Sequence, residues 1–248
     1  MTERGVVFGK AVDAYDRLRP SYPSVAIDHI LGITSIESAV DVGAGTGIAT
    51  NGFARDGLRI VCLEPDPAMA AVLEARHLPG VEIVVSRFED WATEEQVDLV
   101  FAAQAWHWIE PGLGYIKALE ILRPGGVIAL MWNVQVERYR RFGTVYREHA
   151  PELLAEADAR IVRRDSTTWL EELADAGFAD VGLFTHPWSV SRSSADVSAL
   201  YSTFSDHITL ASGRRERLLG ALEGHIDGMG GSVRLDYRTQ VFTGRAPT

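Results

Sequence analysis

Apolar runs and amphipathic stretches alternate along the chain from about residue 36. Five short apolar runs predict buried strands, at 36–42, 58–63, 81–85, 97–102 and 127–132. The segments between several of them have helical periodicity: from Gly47 to about Asp56, 67–76 and 111–122. Strands that alternate with helices pair in parallel through right-handed crossovers. The pattern therefore predicts an open, doubly wound α/β sheet.

The last third of the chain breaks this alternation. Residues 136–176 are predicted to be mostly helical, and 178–190 have a strand pattern. Two polar helical stretches follow near 195–204 and 213–226, and 232–243 reads as a closing strand. We interpret 136–226 as an insertion that covers the sheet, within a single domain.

Composition narrows the class of protein. Hydrophobic residues make up 46% and charged residues 23%, as in a globular protein with a packed core. The sequence contains neither an 18-residue apolar run nor the apolar stretch of a signal peptide, so we expect a cytoplasmic protein without a membrane contact. The single cysteine, Cys62, excludes an intramolecular disulfide.

The charge balance bears on the partners. The formal net charge is −10 and the basic residues are dispersed, so the field of the protein repels a polyanion and no nucleic acid partner is expected. The seven histidines show no metal-ligand spacing, and we predict no metal site. The chain is expected to be a monomer or a homodimer whose partner is a small molecule or a protein.

A glycine loop joins the first predicted strand to the next helix. The segment reads Asp41-Val-Gly-Ala-Gly-Thr-Gly47, and glycines there let a ligand lie against the main chain. A dinucleotide site requires a third glycine where this chain has Ile48. Glu64 ends the second strand, where an acid accepts the hydroxyls of a ribose. Nicotinamide enzymes share that acid, so the argument against a dinucleotide site rests on the glycine spacing alone.

Five segments of the chain form a pattern through their order and spacing: 14–23, 41–47, 62–69, 103–108 and 122–126. In this pattern the chain resembles the class I S-adenosylmethionine-dependent methyltransferases, most closely the branch that acts on small molecules and includes trans-aconitate methyltransferase-like proteins. The resemblance covers residues 8 to about 133. It implies a seven-stranded, mostly parallel sheet whose last strand is antiparallel, with 181–185 and 233–242 as the final pair.

The resemblance also implies a division of the domain and a cofactor, S-adenosylmethionine. Residues 1–35 would form N-terminal lid helices, 36–135 the cofactor-binding core, 136–226 the substrate-covering region with its strand near 178–190, and 227–248 the final strand. The residues implied in cofactor binding are Tyr15, Arg19, Asp41, Gly43, Ala44, Gly45, Glu64, Pro65, Met69, Phe88, Glu89, Gln104 and Ala105.

The implied roles within this set differ. Glu64 would hold the ribose, Pro65 and Met69 would flank the adenine, and Phe88 and Glu89 would complete its pocket. Many relatives carry an acid where this chain has Arg87, so Glu89 or Asp90 would supply the contact to the adenine amino group.

The N-terminal segment would act as a lid. Tyr15 would pack on the sulfonium and Arg19 would pair with the carboxylate of the cofactor. The alternative is that Tyr15 and Tyr22 only anchor an N-terminal helix to the core.

Methyl transfer from a sulfonium needs no metal, and it needs a general base only where the acceptor must lose a proton. His107 is the titratable candidate, either as the base or as an orienting residue of the pocket wall. Trp106 and Trp108 either line an apolar acceptor site or belong to the core. Arg138, in a cluster with Arg140 and Arg141, either binds an anionic acceptor or lies on a solvated helix face.

The predicted function is S-adenosylmethionine-dependent methyl transfer, by in-line displacement, to an oxygen, nitrogen or carbon nucleophile of a small molecule, a carboxylate included. The alternatives are a non-catalytic protein that binds the cofactor, a protein or nucleic acid methyltransferase, and a nicotinamide enzyme.

Overall fold

The computed structural model describes residues 12–110, 112–154 and 166–248, and its centre is one seven-stranded sheet. The strands are β1 Ser38–Val42, β2 Arg59–Leu63, β3 Val81–Val84, β4 Val97–Ala103, β5 Leu122–Gln135, β6 Ala179–Ser193 and β7 Ser232–Arg245. Their order is β3-β2-β1-β4-β5-β7-β6. Only β7 runs antiparallel to its neighbours, β5 and β6. The predicted fold class is confirmed.

Helices pack on both faces of this sheet and above its carboxyl edge. They are α1 Val12–Leu18, α2 Ser24–Leu31, α3 Thr50–Phe53, α4 Pro67–Glu74, α5 Leu113–Ile121, α6 Arg138–Arg141, α7 Gly143–His149, α8 Ser166–Asp175, α9 Ser194–Ser202, α10 Ser205–Ile208 and α11 Ser212–Gly228. Parts of the predicted lid (1–11) and of the substrate-covering region (155–165) lie outside the described residues.

The burial of alternate residues explains why the central strands are mostly apolar on both faces. Along β1, Val40 and Val42 belong to the core on one face, whereas Ala39 belongs to the core on the other. Side chains of a strand alternate between the faces of a sheet, so a strand covered on both faces has no polar face. A third core joins α1, α7, α9 and α11 above the sheet and includes Leu18 and Tyr146.

The helix after the glycine loop is shorter than predicted. The sequence suggested a helix to about Asp56, but α3 ends at Phe53. Asn51 and Gly52 are poor helix formers, and the Arg55 side chain donates hydrogen bonds to the carbonyls of Gly52 and Phe53, at 3.1 and 3.0 Å. The loop itself, rather than a long helix, therefore presents N–H groups to the carboxyl edge of the sheet.

Strand β5 is longer than predicted. Val97 of β4 pairs with Leu122, but Leu99 pairs with Val127, so residues 123–126 bulge out of the ladder. Gly125 permits this bulge because its φ is +75°. At its other end β5 continues to Gln135, which pairs with Tyr237 of β7. This extension carries polar side chains beyond the carboxyl ends of the parallel strands.

Two general findings concern the described residues. None of their helices is long and apolar enough to cross a membrane. None of their histidine, cysteine and carboxylate side chains form a group of three or more that would hold a metal ion.

Candidate active site

A cavity of about 870 Å³ opens at the carboxyl ends of β1, β2, β4 and β5. Ligands of doubly wound sheets bind at this edge, and the volume lies in the upper part of the range for small-molecule sites. The wall is formed by the glycine loop, the ends of the strands, and residues from α6, α10 and β7. It also includes residues from segment 14–23, which precedes α2 and is called the leader below.

The glycine loop forms the floor of the cavity. The N–H groups of Gly43 and Ala44 both donate to the Leu63 carbonyl, at 2.9 and 3.1 Å, which ties the loop to β2. Gly43 has a φ of +70°, and a Cβ added there would lie 2.6 Å from Cβ of Ala105. Only glycine fits this contact between the loop and the turn after β4.

Glu64 lies beside the loop in a fixed orientation. Its Oε2 accepts a hydrogen bond from the Gly45 N–H at 2.7 Å, and its Oε1 accepts one from the Asp66 N–H at 2.8 Å. Burial raises the pKa of Glu64, and the two amide bonds oppose that shift. A carboxylate has about four acceptor positions, so two remain for a ligand. Pro65 and Met69 line the wall next to it.

Asp41 lies beneath the loop and outside the cavity wall, contrary to its expected place among the ligand contacts. Its Oδ2 accepts a hydrogen bond from the Thr50 hydroxyl at 2.7 Å. Burial raises its pKa to about 7. Since the side chain is only 1% exposed, it acts on the loop from below and does not touch the cavity.

The segment after β3 forms one side of the cavity. Arg87, Phe88 and Glu89 line it, and Phe88 is buried there. Arg87 pairs with Glu89 at 3.0 Å and with the exposed Asp90 at 3.8 Å. Burial alone would raise the pKa of Glu89, but hydrogen bonds and the Arg87 charge lower it. The carboxylate of Glu89, not that of Asp90, borders the cavity.

Gln104 lies at the end of β4 in a backbone conformation that L-residues rarely adopt, with a φ of +58°. Its N–H donates to the Met131 carbonyl at 2.9 Å, and its Nε2 donates to the Asn133 carbonyl at 3.0 Å. Such backbone strain persists where the surroundings hold it, often at functional sites. Gln104 and Ala105 line the cavity, and Ala105 lies directly against the glycine loop.

The three candidates Trp106, His107 and Trp108 form a 3₁₀ turn, which directs them to different surroundings. His107 and Trp108 line the cavity, and their ring centres are 4.7 Å apart. Trp106 is 4% exposed and packs in the core against Tyr115 and Phe88. Of the two alternatives for Trp106, the structure therefore agrees with the core and not with the acceptor wall.

The leader contributes Tyr15, Arg19 and Tyr22 to the wall. Arg19 donates hydrogen bonds to Oγ1 and O of Thr203, at 3.1 and 2.9 Å, and its guanidinium lies 4.9 Å from the centre of the Tyr15 ring. Burial lowers its pKa. Among the described residues, no carboxylate forms an ion pair with Arg19.

Asn133 holds the leader to the sheet. Its Nδ2 donates to the carbonyls of Pro20 and Ser21, at 3.4 and 3.2 Å, and its Oδ1 accepts from the Thr239 hydroxyl at 2.6 Å. Because its own carbonyl accepts from Gln104, one residue connects the leader, β7 and the strained end of β4. The sequence analysis did not single out Asn133.

The arginine cluster after β5 is divided. Arg138 is the buried member and pairs with Asp206 at 2.7 Å. Arg140 is solvated at the rim, where it pairs with Glu137, and Arg141 pairs with Asp236 outside the cavity. The solvated-face alternative thus describes Arg140 and Arg141, but not Arg138.

Residues that the sequence analysis missed surround Arg138. Asp206 and Phe204 line the cavity beside it, and the fully buried His207 hydrogen-bonds to Asp206. No spacing motif connects these residues, because they come from a short helix far along the chain. The available signal in the sequence was the adjacency of Asp206 and His207, and such a pair alone does not predict a functional site.

Comparisons with known proteins agree with this architecture. Residues 40–130 match the family described as methyltransferase domain. An uncharacterized methyltransferase of Mycobacterium tuberculosis is 41% identical over 131 residues, which are 53% of this chain and 54% of the relative. The trans-aconitate 2-methyltransferase of Rhizobium rhizogenes is 31% identical over 118 residues, 46% of this chain and 44% of that enzyme.

One solved structure extends the likeness to nearly the whole chain. Phosphoethanolamine N-methyltransferase 2 of Haemonchus contortus, in complex with phosphomonomethylethanolamine and S-adenosylhomocysteine, superposes with a TM-score of 0.57 at 12% identity. The match covers 97% of this chain and 58% of the other.

Residues 40–130 thus match a methyltransferase domain, and the resemblance drawn from the sequence motifs is confirmed. The chain spans about half the length of the curated relatives named here.

Proposed function

We propose that this protein transfers the methyl group of S-adenosylmethionine to a small-molecule acceptor bound in the same cavity. The observation that carries the proposal is the Glu64 carboxylate, held by the N–H groups of Gly45 and Asp66 beside the glycine loop. The methyltransferase relatives support it, and the Haemonchus contortus enzyme was crystallised with the demethylated cofactor.

The residues at this edge fit the cofactor. A Cβ added at Gly45 would have only Met69 Sδ within 4 Å, at 3.8 Å, so protein packing leaves this position open. Glu64 would bind the ribose hydroxyls, and Phe88, Pro65 and Met69 would provide apolar walls for the adenine. S-adenosylmethionine supplies the activated methyl group when bound, and the chain supplies the alignment of the two reactants.

The acceptor would bind between the leader and residues 133–140, 204–206 and 237–240. Of the arginines that border this part of the cavity, Arg138 pairs with Asp206 and Arg140 with Glu137, whereas Arg19 has no carboxylate partner among the described residues. Arg19 therefore suits an anion, either the carboxylate of the cofactor or an acidic acceptor. The relative that methylates trans-aconitate by its name is consistent with a carboxylate acceptor.

We expect Glu64→Ala to weaken the binding of S-adenosylhomocysteine at least about tenfold, or about 1.4 kcal/mol. The substitution removes the ribose acceptor and the anchor of the Gly45 N–H. Isothermal titration calorimetry of S-adenosylhomocysteine into the wild type and the variant measures the effect.

Glu82→Ala is the matched control, because Glu82 is an exposed carboxylate on the neighbouring strand β3. Its affinity should equal that of the wild type. A folded wild-type protein that binds NAD but not S-adenosylhomocysteine would contradict the proposal. Binding without turnover of any acceptor would support the non-catalytic alternative.

His107→Ala is expected to lower kcat about tenfold or more if the imidazole serves as the base, and by less if it orients the acceptor. Since His107 belongs to the turn after β4 and neither to the glycine loop nor to the end of β2, the affinity for S-adenosylhomocysteine should change little. Steady-state turnover beside calorimetry separates the two effects. An unchanged kcat would remove both roles.

A further inference from the structure

A line of buried polar side chains runs from the helical core to the wall of the cavity. The Tyr146 hydroxyl lies 2.9 Å from Nε2 of His207, and Nδ1 of His207 lies 2.7 Å from Oδ1 of Asp206. Oδ2 of Asp206 accepts hydrogen bonds from Nη2 of Arg138, at 2.7 Å, and from the Tyr139 hydroxyl. These five side chains come from α6, α7 and α10 and meet only in the folded protein.

The charge of Asp206 fixes the direction of every hydrogen bond in this line. Burial alone would raise the pKa of Asp206, but its bond to His207 and the Arg138 charge hold it well below the ordinary value. An ionised carboxylate only accepts, so His207 donates from Nδ1, and its Nε2 accepts from Tyr146. Burial lowers the pKa of His207, which keeps the ring neutral in this tautomer.

Arg138 occupies the end of the line at the cavity. Its guanidinium lies 4.6 Å from the centre of the Phe204 ring and 4.2 Å from that of Tyr139, so rings and carboxylate together define its plane. Arg19 lies 4.5 Å from the same Phe204 ring. Burial and, to a smaller extent, the positive charge of Arg138 lower the pKa of Arg19.

We propose that the Tyr146–His207–Asp206 line is a positioning unit that holds Arg138 at the cavity wall, and that Arg138 held in this way selects an acceptor with an anionic group. The inference rests on the proposed function. Stability alone does not account for the arrangement, because a buried ion pair is no more stabilising than well-packed apolar residues. The surrounding core is mostly apolar, yet these five polar side chains converge beside the cavity.

The test compares acceptor kinetics in three variants. Wild-type protein is first shown to bind S-adenosylhomocysteine, then assayed with a panel of mono-, di- and tricarboxylates and their uncharged amides. His207→Phe removes the bond to Asp206, His207→Asn retains a donor near the position of Nδ1, and His225→Phe is the matched control outside the cavity wall. The best acid of the panel is used for the KM and kcat of each variant.

We expect His207→Phe to raise the KM for the acid at least about tenfold, while kcat and the Kd for S-adenosylhomocysteine stay within about threefold of the wild type. His207→Asn should restore most of the affinity, and His225→Phe should leave all three constants unchanged. If His207→Phe does not fold, Tyr146→Phe removes one hydroxyl from the line and should raise KM about threefold.

Equal KM values for His207→Phe and His225→Phe, or for Tyr146→Phe and the wild type, would overturn the positioning role. Amides methylated in preference to acids, or no acid methylated by a wild type that binds S-adenosylhomocysteine, would overturn the anionic acceptor. A wild type that does not bind S-adenosylhomocysteine would instead remove the proposed function, and since binding is measured first, the two failures are distinct.

Discussion

Replacing Asp206 by alanine is expected to lower the free energy of unfolding by about 3–5 kcal/mol. The substitution leaves the buried Arg138 guanidinium without its carboxylate and leaves Nδ1 of His207 without an acceptor. Urea unfolding followed by circular dichroism measures the change. Asp236→Ala is the control, because its ion pair with Arg141 lies at the surface, where the loss should stay within about 1 kcal/mol.

A second substitution separates the buried charge from other effects. If the unpaired guanidinium causes the loss, Asp206→Ala combined with Arg138→Met should be more stable than Asp206→Ala alone.

The lowered pKa of Asp206 also predicts how stability depends on pH in acid. The stabilisation from its carboxylate is complete above the unfolded pKa of about 3.9 and is lost as the pH falls through the lower folded value. The unfolding free energy of Asp206→Ala should therefore decrease less steeply below about pH 4. Equal acid sensitivity of variant and wild type would count against the ion pair.

Gly43→Ala is expected to weaken the binding of S-adenosylhomocysteine at least about tenfold. It should also destabilise the fold by about 1–3 kcal/mol beyond the backbone strain. The new Cβ would lie 2.6 Å from Cβ of Ala105, so the loop must move away from the turn after β4. Calorimetry and urea unfolding of the same protein give both values.

Two further variants isolate the steric cause. Gly57 has a φ of +84° and would place its Cβ in open space, so Gly57→Ala adds the strain, about 1–2 kcal/mol, without the clash and should keep full affinity. Combining Gly43→Ala with Ala105→Gly removes the opposing Cβ and should recover most of the lost binding. If the double variant binds as weakly as Gly43→Ala, the contact with Ala105 is not the cause.

The sheet was predictable because its strands carry their own signal. A strand such as β1, covered on both faces, is mostly apolar, with Asp41 as a buried polar residue, and a short run of that kind stands out from amphipathic neighbours. The predicted boundaries of α3 and β5 were wrong because of single residues. Asn51 and Gly52 shorten α3, and Gly125 allows β5 to begin directly after α5. Such boundaries depend on local competition that periodicity does not measure.

The candidate site likewise has one part that the sequence predicts and one part that it does not. The proposed cofactor side consists of consecutive residues such as Gly43, Ala44 and Gly45, whose spacing follows from the geometry of a loop against a ligand. The proposed acceptor side depends on contacts between distant segments, and Arg138 meets Asp206 across 68 positions. A charge on a short helix looks solvated in sequence, and only packing shows that Arg138 is buried while Arg140 is not.

The hydrogen bonds of the leader set the earliest time during synthesis at which the cavity can close. Arg19 is among the first residues of the described chain, but its acceptor Thr203 follows 184 positions later. At ordinary elongation rates of about 5–20 residues per second, Arg19 waits roughly ten seconds or more for its partner. Strands β1 to β5 precede Thr203, so a nascent chain holds its glycine loop well before the wall that closes over it. The order of translation therefore separates the two halves of the site in time.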